Sequence, residues 1–296
     1  MKKILKWIGI GLGVLIVLLV IAIVGITLNT DARMNKTYTI ADENIKMPTD
    51  PAVLARGKRW AQAYCGECHG DNLAGVNKWL DIPNLMTVDS ANLTTGKGGV
   101  AGEFKDADWV RAIRHGVDPE GKPMLMPAST DFYYLSDEDL AAIIVYVKSI
   151  PPVDHETQDL VISPMGKVLY GIGAFGNLLA AESIQHNIRP ATAPQPGPTA
   201  QYGEYLVNTS GCRACHGAQF AGGKDPNPAA PLVPSLAPGS DYAKWSDADF
   251  IKTMRMGITP SGKALTDFMP WKSIGKLTDD ELRGIYQYLK TLPAVK

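Results

Sequence analysis

The chain has 296 residues, 45% of them hydrophobic, and its 29 Lys and Arg against 30 Asp and Glu leave a formal net charge of −1. That balance lacks the basic excess by which proteins hold nucleic acid, so no nucleic-acid partner is expected. The length is sufficient for two small domains.

The N-terminus opens with Lys2, Lys3 and Lys6, followed over residues 8–28 by 21 positions without a charge. As a helix this run is about 31 Å long and matches the hydrocarbon core of a bilayer, which predicts a transmembrane anchor over residues 1–30. A cleaved secretory signal is the alternative, with Thr30-Asp31-Ala32 as a possible cleavage-site mimic, but such signals usually have a shorter apolar region. The three lysines lie before the span and should stay cytoplasmic, which sends the chain from about residue 30 onward across the membrane.

A short helix is expected over 51–64, leading into Cys65-Gly66-Glu67-Cys68-His69. This is C-x-x-C-H, the pattern of covalent c-type haem attachment. Two thiols three positions apart on one turn can each add to a vinyl group of the same porphyrin, and the next residue places an imidazole beneath the iron. A second copy, Cys212-Arg213-Ala214-Cys215-His216, uses the remaining two cysteines. No thiol is left for a structural disulfide. Redox pairs do not need the trailing histidine, and structural zinc sites usually combine two such pairs within a short span, so two covalently bound haem c groups are the expected cofactors.

After the first motif, 106–115 reads as a middle helix begun by acidic residues. A closing helix starts at Ser136, which with Asp139 makes a capping-box-like start. Leu140, Ile143, Ile144 and Val147 then recur at helical spacing until Pro151 stops the helix. Residues 153–198 have no counterpart elsewhere in the chain and read as a linker. Within it, 168–181 is apolar but too short to span a bilayer, so it should pack against a domain or lie at the membrane surface. Pro190, Pro194, Pro196 and Pro198 make a stiff spacer.

The second half repeats the first. A short helix over 199–207 precedes the second motif, 247–256 matches 106–115, and Thr278 with Glu281 caps a closing helix that carries Leu282, Ile285, Tyr286 and Leu289 and ends before Pro293. No alternating strand pattern competes. The expected fold is mostly α: the anchor, a first domain over 50–152, the linker, and a second domain over 199–296.

Each half resembles a class I cytochrome c, whose pattern is a helix, C-x-x-C-H, a loop, a methionine ligand and a closing helix. The resemblance implies His69 and His216 as proximal iron ligands and Met126 and Met269, each followed by a proline, as the sixth ligands, with Met124 in reserve for the first. His115 is a further candidate for the first iron. The family also implies close helix approaches, Gly57 with Tyr146 and Gly203 with Tyr288. A backbone carbonyl should accept the other ring N–H of each proximal histidine. Val233-Pro234-Ser235-Leu236 suits the second domain, whereas the first offers both Ile82-Pro83-Asn84-Leu85 and Ala91-Asn92-Leu93-Thr94.

Asn92-Leu93-Thr94, Arg114-His115-Gly116-Val117 and 135–140 further resemble the cytochrome subunits of membrane-bound periplasmic alcohol, gluconate and sorbitol dehydrogenases, which typically carry three haem motifs rather than two. With both axial positions filled, the chain is expected to relay single electrons rather than to catalyse a reaction. The expected setting is the periplasmic side of the inner membrane, with a single membrane pass in contact with lipid. A redox protein should serve as donor, either a dehydrogenase or a quinol-oxidising complex, and an oxidase or soluble cytochrome as acceptor. A dihaem peroxidase is the alternative.

Overall fold

The computed structural model describes residues 2–158, 160–188, 192–224 and 230–294; of the expected spacer prolines, Pro190 lies outside them. A long apolar helix, α1 (Lys2–Met34), leads the chain, and it is the one helix among the described residues long and apolar enough to cross a membrane. Next come α2 (Pro51–Trp60), a π-helical turn (Ala61–Cys65) and α3 (Gly66–His69), which run on without a break, so the first motif sits on the end of a continuous helical rod. A hairpin of β1 (Val76–Ile82) and β2 (Met86–Ser90) follows, then α4 (Asp106–His115), the single turn α5 (Ser129–Phe132) and the closing α6 (Asp137–Lys148). The connecting segment contains β3 (Val161–Ile162) and α7 (Pro164–Gly171). In the second half, α8 (Ala200–Thr209), α9 (Cys212–His216), α10 (Asp247–Met256), α11 (Trp271–Ile274) and α12 (Asp279–Thr291) repeat the helical order of the first.

Local chemistry sets these boundaries in matching ways. Asp50 caps α2 by accepting the amides of Ala52 and Val53, with Pro51 at the first helical position, where its missing N–H costs nothing. The middle helices α4 and α10 begin with an acid three residues in that returns to the cap amide, from Asp108 to Lys105 and from Asp249 to Ser246. Both end on a left-handed glycine, Gly116 and Gly257. Thr278 and Glu281 form a complete capping box on α12. On α6 only half of the box forms: Ser136 Oγ accepts the Asp139 amide, while the Ser136 amide donates to Tyr205 Oη, a side chain of the second domain.

The first and last helices of each domain cross at glycine. A Cβ on Gly57 would overlap the carbonyl of Ala142, and one on Gly203 the carbonyl of Gly284. The closest approach is thus to a small residue one turn before Tyr146 and Tyr288, the aromatic residues expected there.

The strands depart from the sequence expectation. They form one antiparallel sheet in the order β1-β2-β3, with Met86 opposite Ile162 and Thr87 opposite Val161. β2 does alternate, with Met86, Val88 and Ser90 inward, but the run is only five residues long and its third inward position is polar. Much of the connecting segment therefore packs on the first domain. Asn92 Nδ2 donates to the carbonyls of Val153 and His155, at 2.8 and 3.2 Å, while α7 packs along the base of α1.

A single apolar core runs through both domains, with Trp60, Leu140, Ile144, Leu206, Leu282 and Ile285 among its buried members. At the domain boundary Glu281 accepts from Trp60 Nε1 at 2.9 Å and from both forks of Arg59, and Asp139 accepts from Tyr205 Oη at 2.7 Å. Each closing helix is thus held at its start by the first helix of the other domain.

Candidate functional site

Both motifs leave their histidine ends in the same local geometry, although the first continues a helical run and the second starts after a left-handed Gly211. In the first, Gly70 at φ 78° and ψ 167° turns the chain away from the helix; in the second, Gly217 does so at φ 78° and ψ 165°. Four residues past each histidine, a fully buried apolar residue takes positive φ, Leu73 at 54° and Phe220 at 56°. Large side chains rarely adopt that conformation, and here it is built twice, as a constrained site element. The carbonyls of His69 and His216 accept from the amides of Gly75 and Gly222 at 2.9 and 3.0 Å, which closes the loop beneath each motif.

The histidine rings are fixed through Nδ1. His69 Nδ1 lies 2.7 Å from the Ala91 carbonyl, and His216 Nδ1 3.0 Å from the Pro234 carbonyl. Of the two first-domain segments that the sequence leaves open, the structure selects the one at Ala91. A carbonyl only accepts, so each Nδ1 carries the proton and each Nε2 keeps its lone pair for a metal. Burial lowers the pKa of both rings, favouring the neutral, ligating form.

Burial pushes Cys65 up to about 12 and Cys68 up to about 11, and it raises Cys212 as well. A zinc site would need thiolates clustered with further ligands. Among the described residues no three His, Cys, Asp or Glu side chains gather in that way. Paired thiols beside an imidazole with an available Nε2, half-buried at Cys65, Cys68 and Cys212 and exposed at Cys215, instead suit thioether attachment of a haem. Eight buried side-chain polar atoms have no partner among the described residues, Trp109 Nε1 in the first domain and Tyr242 Oη in the second among them. Such orphans are the groups that the polar edge of a bound cofactor would satisfy.

Met126 and Met269 are half-buried and pack against the core, each beyond a loop closed by one backbone hydrogen bond: Met124 N to Gly116 O in the first domain, Leu265 N to Gly257 O in the second. The loops are not identical, because Met126 stands two residues past its closing amide and Met269 four. His115 is buried with both ring nitrogens engaged, Nε2 with Glu43 at 2.9 Å and Nδ1 with His186 at 3.0 Å, which leaves none for iron.

Sequence reasoning did not foresee that the motifs meet the opposite domain. Ser273 Oγ donates to Glu67, inside the first motif, at 2.7 Å, and Lys276 Nζ donates to the Gln62 carbonyl at 3.0 Å. Reciprocally, Asp131 lies beside Gly211 at the start of the second motif, and burial raises its carboxyl to about 6. An aromatic series joins the two sides: Tyr64 to Trp60 at 5.6 Å between centroids, Trp60 to Tyr205 at 6.1 Å, and Tyr205 to Tyr202 at 6.0 Å.

Comparison with known proteins divides the chain in the same way. Residues 52–147 match the family of cytochrome c oxidase, cbb3-type, subunit III, and residues 200–293 match the cytochrome c family. The cytochrome c subunit of the quinone-dependent alcohol dehydrogenase of Gluconacetobacter polyoxogenes is 28% identical over 276 residues, covering 83% of this chain and 57% of that protein. The gluconate 2-dehydrogenase cytochrome c subunit of Pantoea cypripedii is 28% identical over 273 residues, 82% of this chain and 60% of that one. The chain thus spans less than two thirds of these dehydrogenase subunits. A diheme c-type cytochrome of Cereibacter sphaeroides is 26% identical over 284 residues, and the alignment covers 84% of this chain and 91% of that protein. Two haem c groups follow from one attachment motif in each matched half. The chain belongs with the cytochromes c, as two cytochrome c domains in tandem behind an apolar N-terminal helix.

Proposed function

We propose that the protein is a membrane-anchored dihaem cytochrome c that relays single electrons on the extracytoplasmic side of the membrane. Haem c, when bound, supplies a one-electron ferric/ferrous couple. The chain's own residues do the rest. Cys65 and Cys68, and Cys212 and Cys215, would form the thioether links. His69 and His216 would hold the iron through Nε2, with their rings oriented by the carbonyls of Ala91 and Pro234. Met126 and Met269 would supply the second protein ligands, thioethers that favour the reduced iron and would raise the potential. With both ligands in place, the iron would be closed to substrate.

The observation that carries this reading is the duplicated histidine geometry together with the reciprocal packing of each motif against the other domain. Two redox centres embedded in one continuous core suit transfer between them and onward to a partner. An N-terminal helix long and apolar enough to span a bilayer supports a membrane-bound donor. The named relatives in dehydrogenase complexes support a dehydrogenase as that donor, with an oxidase or soluble cytochrome as acceptor. The lysines before α1 support an orientation with both domains outside the cytoplasm.

Stopped-flow mixing of the reduced full-length protein with carbon monoxide tests the relay. Slow, substoichiometric binding is expected; rapid stoichiometric binding at one haem would favour the peroxidase alternative.

A further inference from the structure

The connecting segment carries an exposed apolar turn at the foot of the anchor helix. α7 runs antiparallel to α1, as its contacts show. The Lys167 carbonyl accepts from Thr30 Oγ1 at 3.0 Å, and Lys167 Nζ pairs with Asp31 at 2.6 Å. Four residues on, a Cβ at Gly171 would lie 2.5 Å from Ile26 Cγ2 and from Thr30 Oγ1. Moving along α7 therefore means moving down α1 into its uncharged run, by about 6 Å over those four residues.

Beyond Gly171 the chain reverses. The Ala174 amide donates to Leu169 and the Gly176 amide to Gly173, and both Gly173 and Gly176 take positive φ, 82° and 70°. The path then climbs back through buried Leu179 to Glu182, which pairs with Arg33 one turn above Thr30. The turn thus sits at the level of Ile26 and Thr27, which are half-buried, whereas α1 before them is exposed on all sides. No residue from 168 to 181 is charged, and Ile172 is 61% exposed. Directly above lies a polar belt of the Lys167–Asp31 and Arg33–Glu182 pairs, with Arg33 stacked over Tyr170. An apolar tip below a belt of charges and an aromatic ring is the layering of a segment seated at a bilayer interface.

We propose that the turn around Ile172 and Phe175 inserts into the outer-leaflet lipid of the membrane that α1 spans. The haem domains then have a second lipid contact, rigidly joined to the anchor, that fixes their height and tilt over the surface. The inference rests on the anchor reading of α1.

A benzophenone photocrosslinker tests it in the full-length protein in phospholipid nanodiscs. The group is placed in turn at Ile172, at Ile16 in α1, and at Leu232, an exposed position in the second domain. Phospholipid adducts at Ile172 should approach those at Ile16 and exceed those at Leu232 several-fold. Adducts at Ile16 with only the Leu232 background at Ile172 would overturn the lipid contact and leave the anchor standing. Background at Ile16 as well would overturn both.

Discussion

Trp60 Nε1 donates to Glu281 Oε1 at 2.9 Å, joining the first helix of one haem domain to the capping box of the last helix of the other. Glu281 also accepts from both forks of Arg59 and from the Thr278 amide, so a single nearly buried carboxylate closes a helix and an interface together. Replacing Glu281 with alanine strands Arg59 and the Trp60 indole, and the expected cost is about 3 kcal/mol. Thermal unfolding in detergent followed by Soret absorbance should show the loss. A melting temperature equal to that of the parent would mean that the boundary is not a stabilising contact.

Two depressed carboxylates in separate clusters, Glu43 and Glu281, predict an acid limit. For Glu43, burial alone would raise the carboxyl, but hydrogen bonds from His115 and Arg114 and their charges hold it down at about 2. Burial likewise acts to raise Glu281, and it too is held below the ordinary carboxylate range, by Arg59 and the Thr278 amide. A carboxylate depressed in the folded state adds stability that is full above its unfolded pKa and is lost as pH falls through the folded value. Stability should therefore decline from about pH 4.5 towards 2. In the Glu43→Gln protein the decline should be shallower, measured as unfolding midpoint against pH.

The helix crossings tolerate no side chain. In Gly203→Ala the new methyl group meets the Gly284 carbonyl, and in Gly57→Ala that of Ala142, both backbone atoms that cannot swing aside. Each substitution should cost about 1–3 kcal/mol by overpacking. Denaturant unfolding monitored at the Soret band would register it, and unchanged midpoints would remove these glycines as determinants of the fold.

Axial ligation is separable by domain. Met126→Ala and Met269→Ala should each abolish the ferric methionine-to-iron charge-transfer band of one haem and leave the other. Met124→Ala should change nothing in that band. A spectrum unaffected by Met126→Ala would pass its role to another ligand.

The two attachment motifs were legible in the sequence because their spacing is itself chemical. Cys65, Cys68 and His69 must follow one helical turn, and Ser136 and Thr278 announce helices through their caps. The acceptor for His69 was narrowed to two segments, because any residue offers a carbonyl and only the path of the chain picks Ala91. β2 stayed hidden since its buried positions, Met86, Val88 and Ser90, span only five residues. The lock of Trp60 and Arg59 on Glu281 was beyond reach for another reason. Those residues are more than 220 positions apart, and nothing local marks an indole that seeks a carboxylate in the other domain.

Haem quantitation combined with a potentiometric titration of the full-length protein tests the central claim most directly. Two haems per chain, both low-spin and each titrating as a one-electron couple, are the predicted result. Fewer than two porphyrins per polypeptide, or one high-spin iron with an open axial position, would contradict it.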